Sequence, residues 1–133
     1  MQLFIDTTER DEFTIALIDG DAAYMKRVPS DRRHAELLLR SIDELLVEQG
    51  VGKGHIDAVV AVPGPGSFTS LRIGITTANG LAYGLSVPLF SISKQDAIEH
   101  LKHPSSVLPR KSKHNVIVPE YGREPHITQK KRQ

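Results

Sequence analysis

The sequence predicts one α/β domain in which three antiparallel strands precede alternating helices and strands. The length of 133 residues, with 39% hydrophobic and 25% charged side chains, is typical of a single globular domain. Near the start, short apolar runs separated by turn residues predict strands. Later segments with apolar residues three and four apart predict helices. Together these observations predict the element order βββαβαβα.

The opening of the chain predicts three antiparallel strands. Residues 2–8 and 13–18 contain the first two apolar runs, and a polar turn separates them. Asp19-Gly20-Asp21 then predicts a tight hairpin turn, because glycine adopts the positive φ that such turns require. Residues 22–28 are the expected return strand.

The next segment predicts a helix. Ser30 is placed to cap the free N–H groups at its start, and Asp31 complements the positive end of the helix dipole. Gly50 provides the stop signal. The apolar positions recur every three or four residues and form one stripe: Ala35, Leu38, Leu39, Ile42, Leu45 and Leu46.

The second half of the domain predicts two crossover units. Residues 57–62 form a continuous apolar run, which is typical of a strand covered on both faces. A helix is expected over residues 69–85, a strand over 88–92, and a helix through Leu101 with Ser93 as its N-cap. Right-handed crossovers place all the strands in one mixed sheet of five strands. This order is that of a ribonuclease-H-like or actin-like half-domain.

The charge is divided unevenly along the chain. Residues 1–101 carry 9 Lys and Arg against 14 Asp and Glu, whereas residues 102–133 carry 8 against 2 and include four of the eight prolines. We therefore expect a domain over 1–101, followed by a basic tail that buries little and is extended or partly disordered. The tail either solubilises the protein or contacts RNA phosphates or an acidic partner, through residues such as Lys130, Lys131 and Arg132.

Several classes of chemistry are disfavoured by composition and spacing. The chain has no cysteine, which excludes disulfides, thiolate metal sites and cysteine nucleophiles. His34 and Glu36 lie two apart, a poor spacing for two ligands on one helix, and the other histidines are scattered, so no metal site is expected. No secretory signal or membrane-spanning run is visible, so we expect a cytoplasmic protein without membrane contact.

The segment from Pro63 to Gly74 is the most informative candidate site. Its loop contains Gly64, Pro65, Gly66, Ser67, Phe68 and Thr69. Backbone N–H groups of such a turn can bind an anion at a helix entrance. The loop lacks the lysine of a P-loop, the third glycine of a dinucleotide fingerprint and a Gly-x-Ser-x-Gly elbow. The alternative is a strand-to-helix connection in which the glycines permit unusual φ and Phe68 fills the core.

Two further patterns each have two interpretations. Asp6-Thr7-Thr8 ends the first strand, where these residues either orient a metal-bound water or phosphate or bond their own backbone in a turn. The second helix has small residues at four-residue spacing, which either pack on the sheet of this chain or form a docking face for another subunit. The candidate partner-binding residues on the two helices are Leu38, Ile42, Arg72, Gly74, Ala78 and Ala82.

These motifs resemble a known family. Gly64-Pro-Gly-Ser-Phe-Thr69 followed by Leu71-Arg-Ile-Gly74 is similar to the signature of the TsaB (YeaZ) family of tRNA threonylcarbamoyladenosine biosynthesis proteins. The opening Ile5-Asp-Thr-Thr8, the segment Arg33-His-Ala-Glu-Leu-Leu38 and the later Pro119-Glu-Tyr-Gly-Arg123 also match. Ser70 departs from the pattern, because members commonly have glycine there. Family members also contain a second actin-like lobe, for which about thirty residues remain after Leu101.

The resemblance implies an actin-like (ASKHA) fold and a non-catalytic scaffold. Such a subunit pairs through helices of its N-terminal domain with the catalytic subunit TsaD, which modifies the adenosine beside the anticodon, and the ATPase TsaE joins the assembly. TsaD-like proteins use a His-x-x-x-His pair, which this sequence lacks. No cofactor is expected. Three alternatives remain: a nucleic-acid-binding module that uses the basic tail, an actin-like homodimer without TsaD, and a nucleotide hydrolase that uses Asp6 and the turn at residues 64–67.

Overall fold

The computed structural model describes residues 1–121 and contains one mixed sheet with helices on both faces. The strands are β1 Gln2–Asp6, β2 Glu12–Asp19, β3 Ala22–Pro29, β4 Ala58–Ala61, β5 Leu89–Ser91 and β6 Arg110–Lys111. The α-helices are α1 His34–Glu48, α2 Phe68–Leu85 and α3 Lys94–Lys102, and short 3-10 turns span Lys53–His55 and Lys113–Asn115. None of the helices in these 121 residues is both long enough and apolar enough to cross a membrane.

The sheet has the order β3-β2-β1-β4-β5-β6. Strands β1, β4 and β5 are parallel to one another, whereas β2, β3 and β6 join by antiparallel pairing. The expected mixed α/β fold is confirmed, but the sheet has six strands where five were expected. The sequence did not indicate β6, because a strand of two charged residues has no apolar pattern.

Alternate residues along the strands build two cores, one on each face of the sheet. Leu3, Ile5 and Val59 point to the face that α1 and α2 cover. Phe4 and Val60 point to the opposite face and pack with Ala97 of α3. This alternation follows from the period of two in a β-strand, and it buries the central strands on both faces.

Helix α1 begins differently from the expectation. Its N-cap is Arg33, and no side chain caps the helix start. The Ser30 hydroxyl instead bonds Nδ1 of His34 at 2.7 Å, and Asp31 has a positive φ of 46°. The predicted capping by Ser30 is therefore wrong, because the Ser30 hydroxyl instead bonds a buried histidine. Ser93 does cap α3, since its hydroxyl accepts the N–H of Asp96 at 3.1 Å.

The segment after α3 takes part in the fold up to the last described residue. Ile117 is only 5% exposed and belongs to the core under α1 and α2. The Asn79 amide of α2 bonds both backbone groups of Ile117, at 2.9 and 3.0 Å. Most residues of the described segment beyond 101 are exposed, as expected, and Pro104 and Ile117 are the buried exceptions within residues 102–121. Lys130, Lys131 and Arg132 lie outside the described residues.

Candidate functional site

The loop between β4 and α2 lies where the carboxyl ends of β1, β4 and β5 meet. Parallel strands bring these ends to one edge of the sheet, which is where ligands bind in open α/β sheets. The loop is tied to its surroundings by backbone hydrogen bonds. The N–H of Ser67 donates to the Thr8 carbonyl at 3.1 Å, and the N–H of Glu120 donates to the Pro63 carbonyl at 2.7 Å.

The glycines of this loop allow close approach of other backbone segments. A Cβ at Gly64, whose φ is 141°, would overlap the carbonyl oxygen of Glu120. A Cβ at Gly66 would overlap the backbone of Thr8. Both glycines are therefore needed for packing, which supports the interpretation of the loop as a tight connection. Only Gly64 of the two has a positive φ.

A charged cluster stands beside the loop at the end of β1. Asp6 is 7% exposed, and its Oδ1 accepts the backbone N–H of Thr8 at 2.9 Å and the Thr8 hydroxyl at 2.7 Å. Its Oδ2 accepts the ammonium of Lys94 at 2.6 Å. Lys94 also donates to the Thr8 hydroxyl at 2.8 Å. The charge of Asp6 is thus balanced within the chain, and the threonine forms the turn that one interpretation expected.

Lys94 is the residue of this cluster that sequence reasoning missed. It is the first residue of α3 and lies 88 positions from Asp6 in the sequence. The only sequence signal is its position directly after the cap residue Ser93, which places it at the same sheet edge as Asp6. A cleft of about 580 Å³ lies between this helix start and the loop, and Arg110 and Glu120 complete its wall.

The aromatic residue of the loop faces outward. Phe68 is half exposed, its ring centroid lies 4.4 Å from that of Tyr121, and the guanidinium of Arg72 lies 5.4 Å from the Phe68 ring. The expectation that Phe68 fills the core is therefore wrong. The ring instead binds the segment that follows β6, which covers one side of the loop.

The structure places most of the predicted partner-binding residues in the interior. Leu38 and Ile42 of α1 lie in the core, and Gly74 of α2 packs against the Thr7 side chain. Ala78 and Ala82 are buried as well. These five residues pack on the sheet of this chain, which was the alternative interpretation, and they are not placed to contact a partner. Of the six residues, Arg72 alone is exposed.

The exposed side of α2 has small residues of its own. Thr76, Gly80 and Gly84 are exposed and recur every four residues on the side of the helix away from the sheet. A Cβ at Gly80 or Gly84 would meet nothing within 4 Å. Tyr83, beside them, is 86% exposed, and Leu39 on α1 is 55% exposed. We call Leu39, Thr76, Gly80, Tyr83 and Gly84 the outer helix face.

The buried histidines have structural partners. His34 donates from Nε2 to the Glu9 carbonyl at 2.9 Å, while its Nδ1 accepts the Ser30 hydroxyl. His100 bonds the Val107 carbonyl at 2.7 Å. Within residues 1–121, no group of three or more His, Asp or Glu residues is arranged to hold a metal ion.

The sheet order, with β1 between an antiparallel and a parallel part, and the loop between β4 and α2 place the protein in the actin-like (ASKHA) class. A model of the family described as TsaD, tRNA N6-adenosine threonylcarbamoyltransferase, matches residues 28–107, which is more than half of the chain. The chain belongs to this family.

Individual relatives include members of both branches of the family. The TsaB protein of Haemophilus influenzae is 34% identical over 72% of this chain and 40% of its own length. A tRNA N6-adenosine threonylcarbamoyltransferase of Geobacter is 38% identical over 57% of this chain and 23% of its own length. The structure of YeaZ from Pseudomonas aeruginosa matches with a TM-score of 0.65 and 35% identity, over 69% of this chain and 43% of YeaZ. The resemblance to TsaB (YeaZ) is confirmed, and the chain spans about two fifths of the TsaB relative.

Proposed function

We propose that this chain is a non-catalytic subunit in the biosynthesis of tRNA threonylcarbamoyladenosine, and that it pairs with a TsaD-like catalytic subunit. Family membership and the likeness to TsaB and YeaZ support the pathway. The Asp6 carboxylate supports the non-catalytic role, because Lys94 and Thr8 already occupy its oxygens. A TsaE-like ATPase belongs to the same proposed assembly.

The outer helix face is the proposed contact with the catalytic subunit. Its two exposed glycines carry the proposal: glycine in a helix interior costs about 1 kcal/mol relative to alanine, and at Gly80 and Gly84 no close neighbour in this chain excludes a Cβ. A helix of a second protein can approach closely where side chains are small. Tyr83 on α2 and Leu39 on α1 supply exposed apolar surface for the same contact.

Size-exclusion chromatography with light scattering tests this pairing. The chain is measured alone and mixed with TsaD from the same source, and we expect a one-to-one complex. Gly80→Leu should abolish that complex, because the larger side chain fills the space between the two helices. Gly54→Leu is the matched control, since Gly54 is also an exposed glycine with open space around its Cα, but it lies outside the outer helix face.

Other outcomes would contradict the proposal. A stable homodimer that ignores TsaD would favour the alternative of an actin-like protein that pairs only with itself. A complex that forms equally well with Gly80→Leu would show that the outer helix face is not the contact.

A further inference from the structure

We infer that the outer edge of β6, formed by Arg110, Lys111 and Lys113, is a surface that binds the phosphate backbone of RNA. We call these three residues the basic edge. The inference rests on the proposed function for its choice of RNA, and it names a contact with the substrate that is separate from the outer helix face. The basic edge lies beyond residues 28–107, which match the family model.

Charge is segregated at the basic edge. Residues 100–119 contain four Lys and Arg and no Asp or Glu. Elsewhere the cations often have partners: Lys26 lies 2.7 Å from Glu48, and Lys94 lies 2.6 Å from Asp6. In the part of the chain that the structure describes, the basic-edge cations form no ion pair within 4 Å, although Asp96 and Glu120 line the same cleft as Arg110. Uncompensated positive charge at a surface attracts a polyanion.

The three cations are close together on an open strand edge. Strand β6 is last in the sheet order, so no strand among residues 1–121 pairs with its outer edge, and Arg110 and Lys111 are both exposed. Side chains of successive strand residues point to opposite faces, which places a cation on each side of the edge. The Cα atoms of Arg110 and Lys113 are at most about 11 Å apart, because consecutive Cα atoms are about 3.8 Å apart. This spacing allows contacts with neighbouring phosphates.

The backbone that carries these side chains is held in place. Arg110 and Lys111 pair with Ser91 and Phe90 of β5. The Asn115 amide bonds the backbone of Leu89 at 2.6 Å and that of Val87 at 3.1 Å. Binding therefore requires little further ordering of the backbone, which removes one of the main costs of association.

Protection of an open sheet edge is the competing explanation for these residues. Lysine on an edge strand prevents pairing with other chains. That explanation accounts for Arg110 and Lys111, but it does not account for Lys113, which lies beyond the strand. The neighbour His114 is polar and exposed on the same segment. The chemistry of the edge thus fits a nucleic acid better than an apolar protein surface.

Binding of unmodified tRNA to the full chain tests the inference. Fluorescence anisotropy over a series of salt concentrations compares the wild type with R110Q/K111Q/K113Q. The control R10Q/R40Q/K53Q removes the same charge from exposed residues elsewhere. The basic-edge variant should bind tRNA about tenfold more weakly. The slope of log affinity against log salt concentration should also become shallower by about two, because a complex with fewer phosphate contacts releases fewer counterions when it forms. The control should change affinity by less than about twofold, since its residues contact no phosphate.

Equal losses in the two variants would overturn the inference, because net charge alone would then explain binding. Preference for an acidic peptide or for vesicles of anionic lipid over tRNA would also overturn it. Pairing with TsaD is measured for the same variants and should be unchanged. If the wild type does not bind TsaD but its binding of tRNA still depends on the basic edge, the proposed function is contradicted and this inference stands.

Discussion

Helix α2 and the loop before it contain two kinds of glycine. At Gly64, Gly66 and Gly74 a Cβ would overlap neighbouring atoms of the same chain, whereas at Gly80 and Gly84 it would meet nothing within 4 Å. The first group is explained by packing inside this chain. The second group has no such explanation, and glycine there only weakens the helix. The same residue type therefore marks the interior on one side of α2 and the proposed contact surface on the other.

The largest effect is expected at Gly74. Gly74→Ala places a methyl group against the side chain of Thr7, which is 2% exposed and cannot move into solvent. Overpacking of this kind should lower the free energy of unfolding by about 3 kcal/mol, measured by urea denaturation. An unchanged midpoint would show that the sheet and α2 can separate at little cost, and the distinction between the two groups of glycines would then fail.

A smaller loss of stability is expected when the ion pair between Asp6 and Lys94 is removed. Lys94→Met keeps most of the side-chain length but leaves the buried Asp6 carboxylate without its cation. The free energy of unfolding should fall by about 1.5 kcal/mol, because bonds to buried charged groups contribute more than exposed ones. Lys26→Met is the control, since its bond to Glu48 has a similar length but is exposed, and it should cost about 0.5 kcal/mol.

Gly80→Ala should raise the stability of the free chain, whereas the two preceding variants lower it. The free chain should gain about 1 kcal/mol of stability, because alanine is the better helix former and the Cβ meets no neighbour. Affinity for TsaD should fall in the same variant, as measured by isothermal titration calorimetry. If Gly80→Ala is more stable but binds TsaD with unchanged affinity, Gly80 is not part of the proposed contact.

The smallest effect is expected between Phe68 and Tyr121, whose rings lie 4.4 Å apart. A double-mutant cycle with alanine at both positions should give a coupling energy of about 0.5 kcal/mol in thermal unfolding. Zero coupling would indicate that the segment around Tyr121 does not hold the loop in solution.

Local pattern predicted most of the fold, because hydrophobic period and turn chemistry act over short distances. The three opening strands, the Ser93 cap and four of the six apolar positions of α1 follow from neighbours within a few residues, whereas Ala35 and Leu39 of the predicted stripe are exposed. The orientation of α2 did not follow, since small residues recur every four positions on two of its sides. The burial of Gly74, Ala78 and Ala82 and the position of Thr7 against Gly74 show which side is buried.

Parts of the candidate site depend on contacts that the sequence does not indicate. Lys94 and Asp6 meet because α3 begins at the sheet edge where β1 ends, and no spacing rule links residues that are 88 positions apart. Strand β6 was missed for a similar reason, since Arg110 and Lys111 become a strand only through pairing with β5. The loop itself was identified from its residues, but its packing against Glu120 required the structure.

The Asn79 amide bonds both the N–H and the carbonyl of Ile117, and it does so from the middle of α2. The protection of the Ile117 amide from hydrogen exchange thus depends on one side chain of a helix rather than on a strand ladder. Any partner that stiffens α2 from its outer side should slow exchange at Ile117, on the opposite flank. This single amide is a built-in reporter of docking, readable by mass spectrometry or NMR without any label at the interface.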